Sequence, residues 1–140
     1  MTRLILFNLL LFGTCGYALL RGTRDARLVA MVCLVAAFAS YPMASFYRGI
    51  ETSVLVIDVL VLLAFVYVAL TSSRFWPLWI SGLQLTASLG HVIKALQSDL
   101  VPIAYAVALR YWSYPELLIL ALAVWRSQKR ARIVVEPRTV

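Results

Sequence analysis

Five apolar runs fill most of this chain, and the links between them are only a few residues long. The runs cover about residues 4–20, 28–47, 52–70, 76–96 and 101–125. Each is about the length an α-helix needs to cross some 30 Å of hydrocarbon at 1.5 Å per residue. The links read RGTRDAR, RGIE, TSSRF and QSD, and links this short force successive helices to run antiparallel. The chain is 63% hydrophobic, against about 45–50% for an ordinary soluble domain. A water-soluble fold of 140 residues cannot bury that much apolar surface. The expected fold class is therefore an all-α integral membrane protein, a bundle of five transmembrane helices. Residues 1–126 would form the transmembrane helical domain and 127–140 a basic cytoplasmic tail. The fifth run is the least regular. Pro115 removes a backbone donor and clashes with the carbonyl of Tyr111, so a kink is expected there. One kinked span is the main reading; four spans plus a re-entrant or interfacial segment is the alternative.

The net charge is +7, which in a soluble protein would suggest nucleic acid. Here the basic residues flank apolar runs, the pattern that sets membrane orientation. With five spans, the first and third links and the tail share one side. Arg21, Arg24, Arg27 and Arg74 lie there, with Arg126, Lys129, Arg130, Arg132 and Arg138. The other side holds Arg3, Arg48 and Lys94. That excess places the C-terminus in the cytoplasm and the N-terminus outside, with Arg126, Lys129, Arg130 and Arg132 at the membrane surface. Phe75, Trp76, Trp79 and Trp125 then fall near the inner interface, and Phe46 and Tyr47 near the outer one, where aromatic belts belong. The first run, with Arg3 ahead of LILFNLLLF, has the outline of a signal peptide. GTC is a poor lipoprotein cleavage site, so the run is read as a retained span. In hydropathy over its whole length the chain resembles short bacterial inner-membrane proteins of four or five spans. That resemblance rests on no specific motif and implies no activity.

The fourth run, WISGLQLTASLGHVIKAL, carries residues that do not belong in lipid. At about 100° per residue, Ser81, Gln84, Ser88 and His91 fall within an arc of roughly 80°. Lys94 lies near the end, close enough to snorkel outward. A polar stripe facing lipid is costly, so it is expected to face other helices or water. The remaining spans hold matching residues: Asn8, Tyr41, Asp58, Arg110 and Glu116. Counted inward from the outer ends, Asn8 lies about 6 Å deep, Asp58 and His91 about 8 Å, Tyr41 about 9 Å and Arg110 about 12 Å. Gln84 and Glu116 lie deeper, at about 18 and 21 Å. Asp58, His91, Arg110, Gln84, Glu116, Tyr41 and Asn8 are thus the candidate ligand or ion pathway. An Asp58–Arg110 pair would offset the cost of each charge. His91 could add a donor to the same carboxylate or serve as a titratable group near neutral pH. The plainer reading keeps these residues as a staple fixing helix register, with Gln84 and Ser88 as ordinary interhelical hydrogen bonds of about 0.6 kcal/mol.

His91 is the single histidine, so a two-histidine haem clamp within one protomer is excluded. A one-ligand haem or pigment stays open. So does a quinone lying against Tyr111, Trp112 and Tyr114, although aromatic packing between helices is the commoner use of such residues. Cys15 and Cys33 show no metal-ligand or CxxC spacing and read as small buried apolar residues. Gly13, Gly16, Gly82 and Gly90 would let helices approach closely. HExxH, GxSxG, Walker and CxxC patterns are all absent, so no enzyme is expected. Two function classes remain. The first is a small, oligomeric channel- or transporter-like protein whose polar cluster binds or passes a proton, ion or small solute. The second is a non-catalytic membrane subunit of a larger redox or photosynthetic complex, meeting a partner, quinone or pigment. The expected partners are the lipid bilayer and further protein, not nucleic acid.

Overall fold

A computed structural model describes residues 2–46, 50–96 and 102–135, and the side-chain surroundings of 5–40, 54–93 and 111–133. The chain is all-helical, with α1 (Thr2–Arg21), α2 (Arg24–Phe46), α3 (Ile50–Thr71), α4 (Trp76–Leu96) and α5 (Pro102–Val135). Each helix packs on its chain neighbours, α5 closes the ring onto α1, and α5 also reaches α2. The α3–α4 contact is the most extensive.

Local chemistry sets the corners. At the α1–α2 corner the N–H of Gly22 donates to the Ala18 carbonyl at 2.8 Å, and the N–H of Arg27 donates to the Thr23 carbonyl at 2.9 Å. A Cβ on Gly22 would collide with that Ala18 carbonyl, so the reversal in two residues depends on a residue with no side chain. At the α3–α4 corner Pro77 sits in the first turn of α4, where a missing N–H removes no helical bond. The Ser72 hydroxyl there donates to the Asp25 carboxylate at 2.6 Å, tying this corner to the start of α2.

Helix α5 runs unbroken through Pro115, so the described part of the fifth run, residues 102–125, does not divide into two half-helices at the proline. It also outlasts its expected end at Trp125. The first residues of the basic tail are helical as far as Val135, and the 34-residue helix is about 51 Å long.

The core lies toward one end. It is built from the second half of α1 (Leu11, Cys15, Ala18), the start of α2 (Ala26, Val29, Ala30), the second half of α3 (Val61, Phe65, Val68), Ile80 of α4, and Leu117, Leu120 and Val124 of α5. Cys15, Ala18 and Ala30 are fully buried and Ala26 nearly so; small side chains allow this close approach. Gly13, Gly16 and Gly82 make no such approach within the bundle: a Cβ at any of them would meet nothing within 4 Å.

Away from this core the surface is apolar. All five helices expose large hydrophobic side chains, among them Leu9, Phe38, Leu60, Leu89 and Leu118. Among the described residues one segment, Val54–Thr71, is long and apolar enough to cross a membrane, and only 11% of it is buried inside the bundle. Ile5–Arg21 is a shorter apolar stretch.

Candidate functional site

The polar face of α4 turns into the bundle. Ser81, Gln84 and Ser88 are all buried, as their spacing of three and four residues demands. The two serines look after themselves. The Ser81 hydroxyl donates to the Pro77 carbonyl and the Ser88 hydroxyl to the Gln84 carbonyl, each at 2.9 Å. These are bonds to the preceding turn of the same helix, so the expected interhelical bond at Ser88 is not formed.

Gln84 and His91 instead reach across to α3 and converge on Asp58. His91 Nε2 lies 2.8 Å from Asp58 Oδ2. Gln84 Nε2 donates to Asp58 Oδ1 at 3.4 Å and to the Asp58 backbone carbonyl at 3.3 Å. The carboxylate is thus held between two α4 residues placed two turns apart. The His91 and Asp58 side chains keep 17% and 23% of their exposure, so the pair is reachable rather than sealed.

The depth count had separated Asp58 from Gln84. Helix α3 begins at Ile50 and α4 ends at Leu96. Counted from those ends, Asp58 lies about 12 Å in, between His91 at about 8 Å and Gln84 at about 18 Å. Side-chain reach covers the rest.

Glu116 on α5 lies near enough to interact electrostatically with both Asp58 and Cys33. It therefore joins the periphery of the site. Asn8 is placed on the exposed surface of α1, not among the buried side chains of α4. The side chains of Tyr41, Lys94 and Arg110 lie outside the described residues, and the Asp58–Arg110 pair with them.

Aromatic residues lock α5 in place beside the site. The Trp112 indole N–H donates to the Leu83 carbonyl at 2.7 Å, one residue before Gln84. Tyr114 packs edge-on against Phe7 of α1 at 5.7 Å and leans on Tyr111 at 6.1 Å. Within the described residues this group knits helices together.

Nothing in their spacing connects the two cysteines. Both are free thiols, yet Cys15 and Cys33 come near enough across α1 and α2 to interact electrostatically. Among the described residues, no group of three or more His, Cys, Asp or Glu side chains comes together to hold a metal ion.

A carboxylate facing an imidazole, steadied by an amide and with a second carboxyl nearby, is an arrangement that can take up, hold and release a proton or bind a small polar solute. No family model matches the chain, and no curated protein or solved structure matches it.

Proposed function

We propose that this chain is an integral membrane protein of five spans, and that its Asp58–His91 site binds or passes a proton, ion or small solute. The observation that carries the reading is the His91–Asp58 contact of 2.8 Å inside a bundle whose outer surface is largely apolar. In water that surface would be costly, at about 25 cal/mol per Å² of apolar area; in hydrocarbon it is not. An ionisable pair inside such a bundle is a functional-site hypothesis by default, because it is expensive to keep there for packing alone. Gln84 positions the carboxylate, His91 shares its charge, and Glu116 lies on the inward side as a second acceptor. On this reading the protein is not an enzyme, sits in a bacterial-type inner membrane, and has its N-terminus outside and its C-terminus in the cytoplasm.

Flux measurements test this. The chain is reconstituted in vesicles enclosing a pH-sensitive dye, and proton entry is followed under an imposed potential. Asp58→Asn and His91→Ala are expected to abolish entry while the protein still inserts. Equal entry through the wild type and both variants would sink the relay.

A second reading keeps the chain as a non-catalytic subunit of a larger redox or photosynthetic complex. Open space beside Gly13, Gly16 and Gly82 and the 56% exposure of Tyr111 favour a neighbouring helix, quinone or pigment there. Native mass spectrometry from mild detergent separates the two: a colourless sample holding this chain alone favours the first, and a coloured or multi-protein sample favours the second.

A further inference from the structure

One tight corner and two hydrogen bonds draw eight basic residues of this chain onto one surface. The two-residue α1–α2 corner sets Arg21 beside Arg24 and Arg27. The Ser72–Asp25 bond of 2.6 Å brings the corner carrying Arg74 against the start of α2. Gln128 Nε2 donates to the Arg21 carbonyl at 3.4 Å, which holds the extension of α5 against the end of α1. That extension adds Arg126, Lys129, Arg130 and Arg132. All eight of these cationic residues are exposed, and among the described residues none is in an ion pair. Asp25 is the acid at this end among the described residues, and it is engaged by Ser72.

Just below the cations lies a level of exposed aromatic rings: Phe75, Trp79 and Trp125 are 71%, 62% and 54% exposed. The Lys129 ammonium stands over the Trp125 ring at 5.5 Å, held back at that level rather than projecting away. From Trp125 to Arg130 the helix rises about 8 Å, close to the thickness of one headgroup layer, about 5–7 Å.

We propose that this end of the bundle is a docking plate for anionic phospholipids, whose phosphate headgroups are gripped between the α1–α2 corner and the helical extension of α5. The proposal rests on the membrane reading above. Guanidinium groups bind phosphate through paired N–H donors, and clustered cations beside a span attract anionic lipid headgroups. The ring of exposed aromatic side chains decides for lipid over a soluble polyanion. Such rings belong at the headgroup boundary, and a partner in free solution would have no use for them.

The test uses the full chain in nanodiscs, with tryptophan fluorescence quenched by brominated lipid. Brominated phosphatidylglycerol is expected to quench more strongly than brominated phosphatidylcholine at equal mole fraction, and the advantage should shrink as salt rises. The triple change Arg126→Gln, Lys129→Gln, Arg130→Gln should lower the preference by about fivefold for each cation removed. Equal quenching by the two lipids overturns the proposal and leaves the membrane reading intact. No quenching by either lipid overturns the membrane reading itself. Loss of the preference on adding millimolar inorganic phosphate would show a site for a free anion and overturn the lipid assignment. Tighter binding of an RNA than of phosphatidylglycerol would assign the plate to nucleic acid and overturn it as well. The wild-type comparison stands even if the triple variant fails to fold.

Discussion

The two halves of this bundle are built on different physics, although the same helices run through both. Toward the basic end, α3 contributes Phe65 and Val68 and α5 contributes Leu120 and Val124 to a dry core. Two turns back along α3, and one turn back along α5, the same helices present Asp58 and Glu116. The dry half is closed by small side chains at the α1–α2 contact, where Cys15, Ala18 and Ala30 have no exposure. The polar half is closed by directional bonds, from His91 and Gln84 to Asp58 and from Trp112 to Leu83. Packing on one side fixes how the helices lie; bonding on the other fixes where a charge lies. If the site exchanges a proton as proposed, the rigid core would hold the frame while the charge at Asp58 changes.

The sharpest way to break this comparison is all-or-none. With Cys15 and Cys33 replaced by serine, single cysteines at Thr23, Ser73 and Arg132 should respond alike to an impermeant thiol reagent in intact cells, none being labelled. A split among the three would dissolve the common basic end. Next in size is the dry core. Phe65→Ala should lower stability by about 3–5 kcal/mol, read as the shift in detergent-induced unfolding, with the flux through the site impaired only as the fold is lost. The polar half should respond less in stability and more in function. Asp58→Ala should cost about 1.5–3 kcal/mol, the range of a hydrogen bond to a charged group. Adding His91→Ala should cost less than the sum of the two single changes, and strict additivity would show that the contact carries no energy. Smallest is Ser88→Ala, at or below about 0.6 kcal/mol, because its hydroxyl serves only its own helix. A Ser88→Ala loss matching that of Asp58→Ala would mean that the serine, too, holds the polar half together.

Much of this architecture was legible before any coordinates. Five apolar runs with short links dictate five antiparallel helices, and the helices observed follow those runs within a few residues except at the end of α5. There the sequence turns from apolar to basic at Trp125, a change of side-chain chemistry and not of backbone. Residues such as Arg, Gln, Lys and Ala are good helix formers, so the helix continues. The Asp58–His91 contact was legible from shared depth, because both side chains are polar, near one level and on adjacent helices. The Gln84–Asp58 bond was not, since depth counted along an axis ignores several ångströms of side-chain reach. Nor was the meeting of Cys15 with Cys33, which depends on how α1 and α2 are rotated about their own axes. Within the bundle it is alanine and cysteine that make the close contact, whereas Gly13 and Gly82 face open space.

Helix α5 is a rod of about 51 Å with one weak joint. Twenty residues separate Pro115 from Val135, a lever arm of about 30 Å. Proline leaves one carbonyl of the preceding turn without its donor, so bending there meets less resistance than elsewhere along the rod. A flexure of about 10° at that joint would sweep the far tip through roughly 5 Å, by the geometry of a stiff 30 Å arm. Glu116 sits at the fulcrum, one residue past the joint. A bend at that joint would therefore shift the Glu116 carboxyl relative to Asp58, while Leu117, Leu120 and Val124, packed in the dry core, resist it.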